Sequence, residues 1–175
     1  MSQVVLIQGS LNKESRTAIL VDHAVEEIKR AGLEVTVLDL RNIQMEFCDG
    51  RSLKEYHPDM QQAYRAMEEA DAFVFGMPVY CYSVSGPLKN FIDITSGAME
   101  KKIAGILCNA GGNQSYMASA DLSKILAYES HVTTVQPIVF SSYEDYDDRT
   151  LTGAKVKSKI QELVDHLARH LQNHS

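Results

Sequence analysis

Ser10, Asn12, Ser15, Arg16 and Thr17 stand together near the start of this 175-residue chain, in the run GSLNKESRT. Hydroxyl and amide groups donate hydrogen bonds, and a guanidinium presents a rigid fork matched to phosphate oxygens. The flanking sequence says how these groups are presented. Residues 4–7 form a continuous apolar run, as expected of a strand buried on both faces of a parallel sheet, and Gly9 breaks it. From Ser15 onward Val21, Ala24, Val25 and Ile28 recur at helical spacing. Strand, tight polar loop and helix start, in that order, make an anion site. The first N–H groups of a helix lack intrahelical partners, and the macrodipole adds partial positive charge beside them. The expected ligand is a phosphate monoester. Neither GxxxxGK[ST] nor GxGxxG occurs here, which sets aside a P-loop and a dinucleotide fingerprint. A capped helix after a glycine turn is common to many α/β proteins, so the other loops have to decide.

Two further segments carry compatible chemistry. Residues 78–86 (PVYCYSVSG) offer Pro78 and Val79 as a flat apolar wall, Tyr80 and Tyr82 as rings, and Ser83 and Ser85 as hydroxyls. Such a loop suits a planar heteroaromatic ring with polar edges. Residues 109–116 (NAGGNQSY) place Gly111 and Gly112 where a backbone has to approach a ligand closely. A phosphate pocket, a ring wall and a glycine platform describe a mononucleotide with a large flat base. FMN fits better than ATP, which asks for Mg²⁺ ligands and a P-loop lysine. Hydride transfer to a flavin needs two rings brought together with water excluded, so no catalytic side chain is expected. Cys81 has no lysine or histidine beside it in sequence to lower its pKa, and reads as a contact instead of a nucleophile.

The elements that must bring these loops together are legible as alternating patterns. Gly32 closes the first helix, residues 34–40 alternate as a second strand, and residues 41–58 form a long polar loop. Residues 60–70 read as a helix, 71–77 as a third buried strand, and Pro87 sits at a helix start. Residues 102–109 make a fourth strand, followed by a helix through Tyr128, and residues 132–140 a fifth. An acidic loop, YEDYDD, leads to a last helix striped by Val156, Ile160, Leu163, Val164, Leu167 and Leu171. Five strands alternating with helices, without repeat or linker, predict one α/β domain over residues 1–175. Its doubly wound parallel sheet should run in the order 2-1-3-4-5, with the ligand crevice at the carboxyl ends of the first and third strands.

Composition narrows the partners. A hydrophobic content of 45% with 23% charged residues is ordinary for a globular protein, and the net charge of −6 argues against a nucleic acid. No apolar stretch approaches the ~20 residues of a membrane span. The chain enters a strand almost at once, and Cys48, Cys81 and Cys108 form no CxxC; a cytoplasmic protein with reduced thiols is expected. His23 reads as structural. His166, His170 and His174 recur every four residues on the last helix and read as a solvated face, as do the carboxylates of residues 144–148, which lack EF-hand spacing.

The motifs GSLNKESRT, PVYCYSVSGPLKNFID and NAGGNQSY, at these spacings, resemble the NAD(P)H-dependent FMN reductase family of the flavodoxin-like fold. The first is similar to the GSxRxxSRT form of alkanesulfonate-linked FMN reductases, with Asn12 where that form has arginine. The resemblance implies that Ser10, Asn12, Ser15, Arg16 and Thr17 hold the FMN phosphate. Pro78, Val79, Tyr80, Cys81 and Ser83 would contact ribityl and isoalloxazine, with Gly111 and Gly112 near the pyrimidine edge. It further implies NADPH or NADH as co-substrate, a small-molecule acceptor such as free flavin or a quinone, and a homodimer or homotetramer. Leu88, Phe91 and Ile92, with Tyr56, His57 and Met60, offer the expected contact patch. A flavodoxin-type electron carrier and a flavin-free binding protein on the same fold are the alternatives.

Overall fold

A computed structural model describes residues 2–173. The chain runs β1 (Gln3–Gln8), α1 (Arg16–Arg30), β2 (Glu34–Asp39), α2 (Pro58–Glu69), β3 (Ala72–Tyr80), β4 (Ser83–Val84) and α3 (Gly86–Thr95). It continues through β5 (Ile103–Asn109), α4 (Ser119–Ser130), β6 (Thr133–Thr134), β7 (Val139–Ser141), β8 (Tyr146–Asp147), β9 (Thr150–Leu151) and α5 (Ala154–Asn173). The parallel sheet has the order β2-β1-β3-β5-β6, with β7 also on β5 and β4 folded back antiparallel on β3. This is the expected 2-1-3-4-5 order of the flavodoxin-like doubly wound fold, once β4 and the divided last strand are set in place.

Alternation along the strands builds a core on each face. Val5, Ile7, Phe73 and Phe75 join the buried residues of α2, α3 and α4. Val4, Leu6, Ala72 and Val74 join those of α1 and α5, including the expected stripe on the last helix. Strands buried on both sides have to be apolar throughout, which is why these runs show no polar alternation.

Three expectations are revised. The fifth strand is two short pieces: Ile103 pairs with Thr133 but Leu107 with Val139, so two extra residues bulge out between them. Pro137 lies in that excursion and has no N–H to give a ladder. The acidic loop after residue 142 contains the antiparallel pair β8–β9. The proposed contact patch is also spent inside the monomer. Met60, Leu88, Phe91 and Ile92 are buried because their helical spacing is that of the faces α2 and α3 turn to the sheet; Tyr56, just before α2, is buried with them and His57 is half-buried.

Candidate functional site

The loop after β1 is clamped before any ligand is considered. Gln8, buried at the strand's end, accepts from the Ser10 amide (2.7 Å) and donates to the Ser10 carbonyl (2.8 Å) and to Asp39 of β2 (3.0 Å). Burial pushes the Asp39 carboxyl upward, but hydrogen bonds from Arg41 and Gln8 outweigh it and hold the group below the usual carboxylate range. Within the loop Ser10 Oγ accepts from the Asn12 amide, Asn12 Oδ1 from Glu14, and Ser15 Oγ from Ala18. Ser15 thereby caps α1. These oxygens shape the loop, and the hydroxyl protons and the Asn12 Nδ2 group are left to donate outward.

Close packing fixes the loop against β3. Gly9 N donates to Gly76 O at 2.9 Å, and a Cβ on Gly9 would stand 2.7 Å from that oxygen. Ser85 Oγ, fully buried, reaches the Gly9 carbonyl at 3.2 Å and so ties the second loop to the first. That second segment is a hairpin, not an open loop: β3 runs on to Tyr80, and Val79 and Tyr80 pair with Val84 and Ser83. Its turn is made by Cys81 (φ 51°) and Tyr82 (φ 61°), both left-handed, where a two-residue hairpin ordinarily takes Asn-Gly. Two non-glycine residues held there store strain of about 1–3 kcal/mol each, of a kind that clusters beside binding sites. Ser83 Oγ donates to Asp121 at the start of α4 (2.6 Å), which helps hold the turn.

These segments surround a cleft of about 380 Å³, within the range of small-molecule sites. Ser10, Asn12, Ser15, Arg16, Thr17, Pro78, Val79, Tyr80 and Gly111 all line it. Cys81, Ser83 and Gly112 are not among the lining residues. Gly111 and Gly112 face open space, since a Cβ on either meets nothing within 4 Å, and neither has a left-handed φ. Asn109, Asp148 and Arg149 also line the cleft and are additions to the residues expected from sequence. Asn109 reaches Ser141 Oγ (2.9 Å) and Tyr146 OH (3.3 Å). Tyr146 OH in turn donates to the Arg16 carbonyl (3.3 Å), and the Arg16 guanidinium lies 5.8 Å from its ring centroid. Burial pushes the Tyr146 hydroxyl above its ordinary pKa, so it stays protonated and able to donate.

Elsewhere, His23 lies 3.9 Å from Glu27 on α1, and burial lowers its pKa. His166 and His170 hydrogen-bond backbone carbonyls through Nδ1. His174 lies outside the described residues, among which no group of three metal-ligating side chains occurs. No helix among the described residues is long and apolar enough to cross a membrane.

Comparison with known proteins decides between the families such a cleft could serve. The model of the NADPH-dependent FMN reductase family matches residues 2–147. The chain belongs to this family. An NAD(P)H-dependent FAD/FMN reductase from Geobacillus thermodenitrificans is 31% identical to this reductase-family chain over 154 residues, spanning 86% of it and 83% of the relative. The NADH-dependent FMN reductase SfnF of Pseudomonas putida is 25% identical over 178 residues, spanning 97% and 93%. An oxidoreductase from Corynebacterium diphtheriae shares the fold with a TM-score of 0.86 at 21% identity, over 100% of this chain and 99% of that one. The family's reductases use NAD(P)H and FMN.

Proposed function

We propose that the chain is a single FMN-binding unit that oxidises NAD(P)H and passes the electrons to a small-molecule acceptor, free flavin or a quinone. The carrying observation is the cleft itself, in which a helix N-terminus, Arg16 and an apolar wall converge from loops far apart in sequence. The residues fit an FMN-sized ligand: a polar, cationic end at Ser10–Thr17 and a flat apolar end at Pro78–Tyr80. When bound there, FMN would supply the redox chemistry, hydride acceptance from a nicotinamide and electron release to an acceptor. The chain's part is to hold and orient. The first amides of α1, the Ser10, Ser15 and Thr17 hydroxyls, Asn12 and Arg16 bind the phosphate, while Pro78, Val79 and Tyr80 exclude water from one side of the ring. Gly111, without a side chain, would let the backbone approach the ligand closely. Cys81 and Ser83 act from the turn, and Gly112 from beside Gly111, as supports. Cys108 takes no part, because full burial pushes its thiol up to about 12 and keeps it protonated.

The test is anaerobic stopped-flow mixing of the FMN-loaded protein with NADPH and, separately, NADH. Loss of the oxidised flavin band within seconds is expected with one or both. A protein that dithionite bleaches but neither nucleotide does at millimolar concentration would be a carrier.

The same reading includes a homodimer or homotetramer in the cytoplasm. Its support has moved to side chains the monomer leaves outside: Tyr128 on α4, 85% exposed, beside a groove with Lys89, Asp93 and Lys124, and Phe47, 87% exposed. Two cations and two carboxylates, Asp93 and Glu129, on one such face suit a two-fold contact with a second copy. Sedimentation at micromolar concentration is expected to give a dimer or larger. An active monomer would remove this part.

A further inference from the structure

Two arginines and two carboxylates line the cleft: Arg16 and Arg149 against Glu14 and Asp148. Arg149 sits at the turn of the β8–β9 hairpin, beyond the stretch matched to the family, and the neighbouring Asp148 has a left-handed backbone (φ 48°). The root of the hairpin is anchored on the first turn of α1 through Tyr146 and Arg16, and its far side through Thr152 and Gly153 amides on the Asp145 carbonyl. Its tip is open to solvent. There Arg149 Nη1 lies 3.9 Å from Glu14 Oε1, at the outer limit of an ion pair, with the two side chains 62% and 83% exposed. Glu14 belongs to the same loop whose amides and hydroxyls face the cleft, so a carboxylate stands beside a site built for an anion.

We propose that Arg149 is a second cationic contact for the flavin phosphate, occupied by Glu14 until the phosphate displaces that carboxylate. This rests on the reading that FMN binds in the cleft. A phosphate monoester carries close to two negative charges and three strong acceptor oxygens. A guanidinium therefore exchanges a loose single contact for a forked, charge-assisted one. Arg16 alone sets one positive charge against that dianion; Arg149 brings the second. Glu14 acts in the opposite sense, by holding Arg149 away and by repelling the phosphate directly. Together they set how strongly FMN is preferred over a flavin without phosphate.

Dissociation constants for FMN and riboflavin, measured at low ionic strength, test this with Glu14→Gln, Arg149→Gln and the double variant. Both substitutions fall on exposed side chains and conserve volume or shorten it, so the fold is retained in all three variants. Arg149→Gln is expected to weaken FMN by about three- to tenfold, the lower end reflecting solvent screening. Riboflavin binding is expected to stay as in the unmodified protein. Glu14→Gln is expected to tighten FMN, and to tighten it less when Arg149 is already glutamine. An FMN-to-riboflavin ratio unchanged by Arg149→Gln, or FMN weakened by Glu14→Gln, would overturn the proposal while leaving the FMN reading intact. Absence of FMN binding in the unmodified protein would overturn both.

Discussion

Arg16→Ala is expected to weaken FMN binding by about tenfold or more and to leave riboflavin binding unchanged. Arg16 opens α1 at the point where the helix amides and the loop hydroxyls meet the cleft. A hydrogen bond to a charged group is worth about 1.5–3 kcal/mol, which is about one to two decades in affinity. The side chain is exposed, so screening favours the lower end and the loss should shrink as salt is raised. The fold should not suffer, because the contact Arg16 makes with the protein through its carbonyl, from Tyr146 OH, is a backbone bond that alanine keeps. What alanine removes is a cation 5.8 Å from the Tyr146 ring centroid. Calorimetric titration with both flavins separates the cases. Equal weakening of FMN and riboflavin would mean that Arg16 supports the ring or the loop and not the phosphate.

Gly76→Ala should act through the frame instead. A Cβ at this position would collide with Val21 Cγ2 on α1 and stand 3.1 Å from Ile7 O and 3.3 Å from Thr17 Cγ2. All of these groups belong to packed elements, so relief requires α1 to lift from β3. Inserting a methyl group into a filled core costs about 1–3 kcal/mol. For a protein of this length a loss near 2 kcal/mol lowers Tm by about 4–8 °C. The consequence reaches the cleft as well, because Gly76 O receives the Gly9 amide that seats the loop, and Thr17 lines the site. FMN affinity should fall along with Tm. Adding Val21→Ala removes the methyl that the new Cβ meets, so the double variant should be less destabilised than the sum of the two single changes. A Gly76→Ala protein as stable as the parent would show that α1 is not held against the sheet there.

The order of the sheet was readable because strands buried on both faces leave uninterrupted apolar runs, as in residues 4–7 and 72–75. The loop after β1 was readable for a related reason: a strand, a glycine, hydroxyl residues and a helix cap are contiguous. The hairpin was not, since Cys81 and Tyr82 are poor choices for the turn they make, and the β3–β4 pairing with the Ser83–Asp121 hydrogen bond holds them there. Leu88, Phe91 and Ile92 misled for a simpler reason: i, i+3, i+4 spacing marks a buried face without saying whether sheet or second copy covers it. Gln8 and Arg149 carry no local signal at all. Gln8 clamps Ser10 close by but also reaches Asp39, and Arg149 stands beside Glu14, partners met only after folding.

Gly111 and Gly112 show what a fold does not ask for. A Cβ on either would enter open space, and neither backbone is left-handed, so the chain alone would be at least as stable with alanine in both places. On the proposed reading, the bound flavin is what keeps side chains away from that edge. Directed evolution for heat resistance, screened on folding alone, would be drawn to replace both glycines, and screened on flavin turnover it would be drawn to keep them. The ratio of outcomes in those two selections reads the ligand's footprint at this edge without a ligand ever being seen.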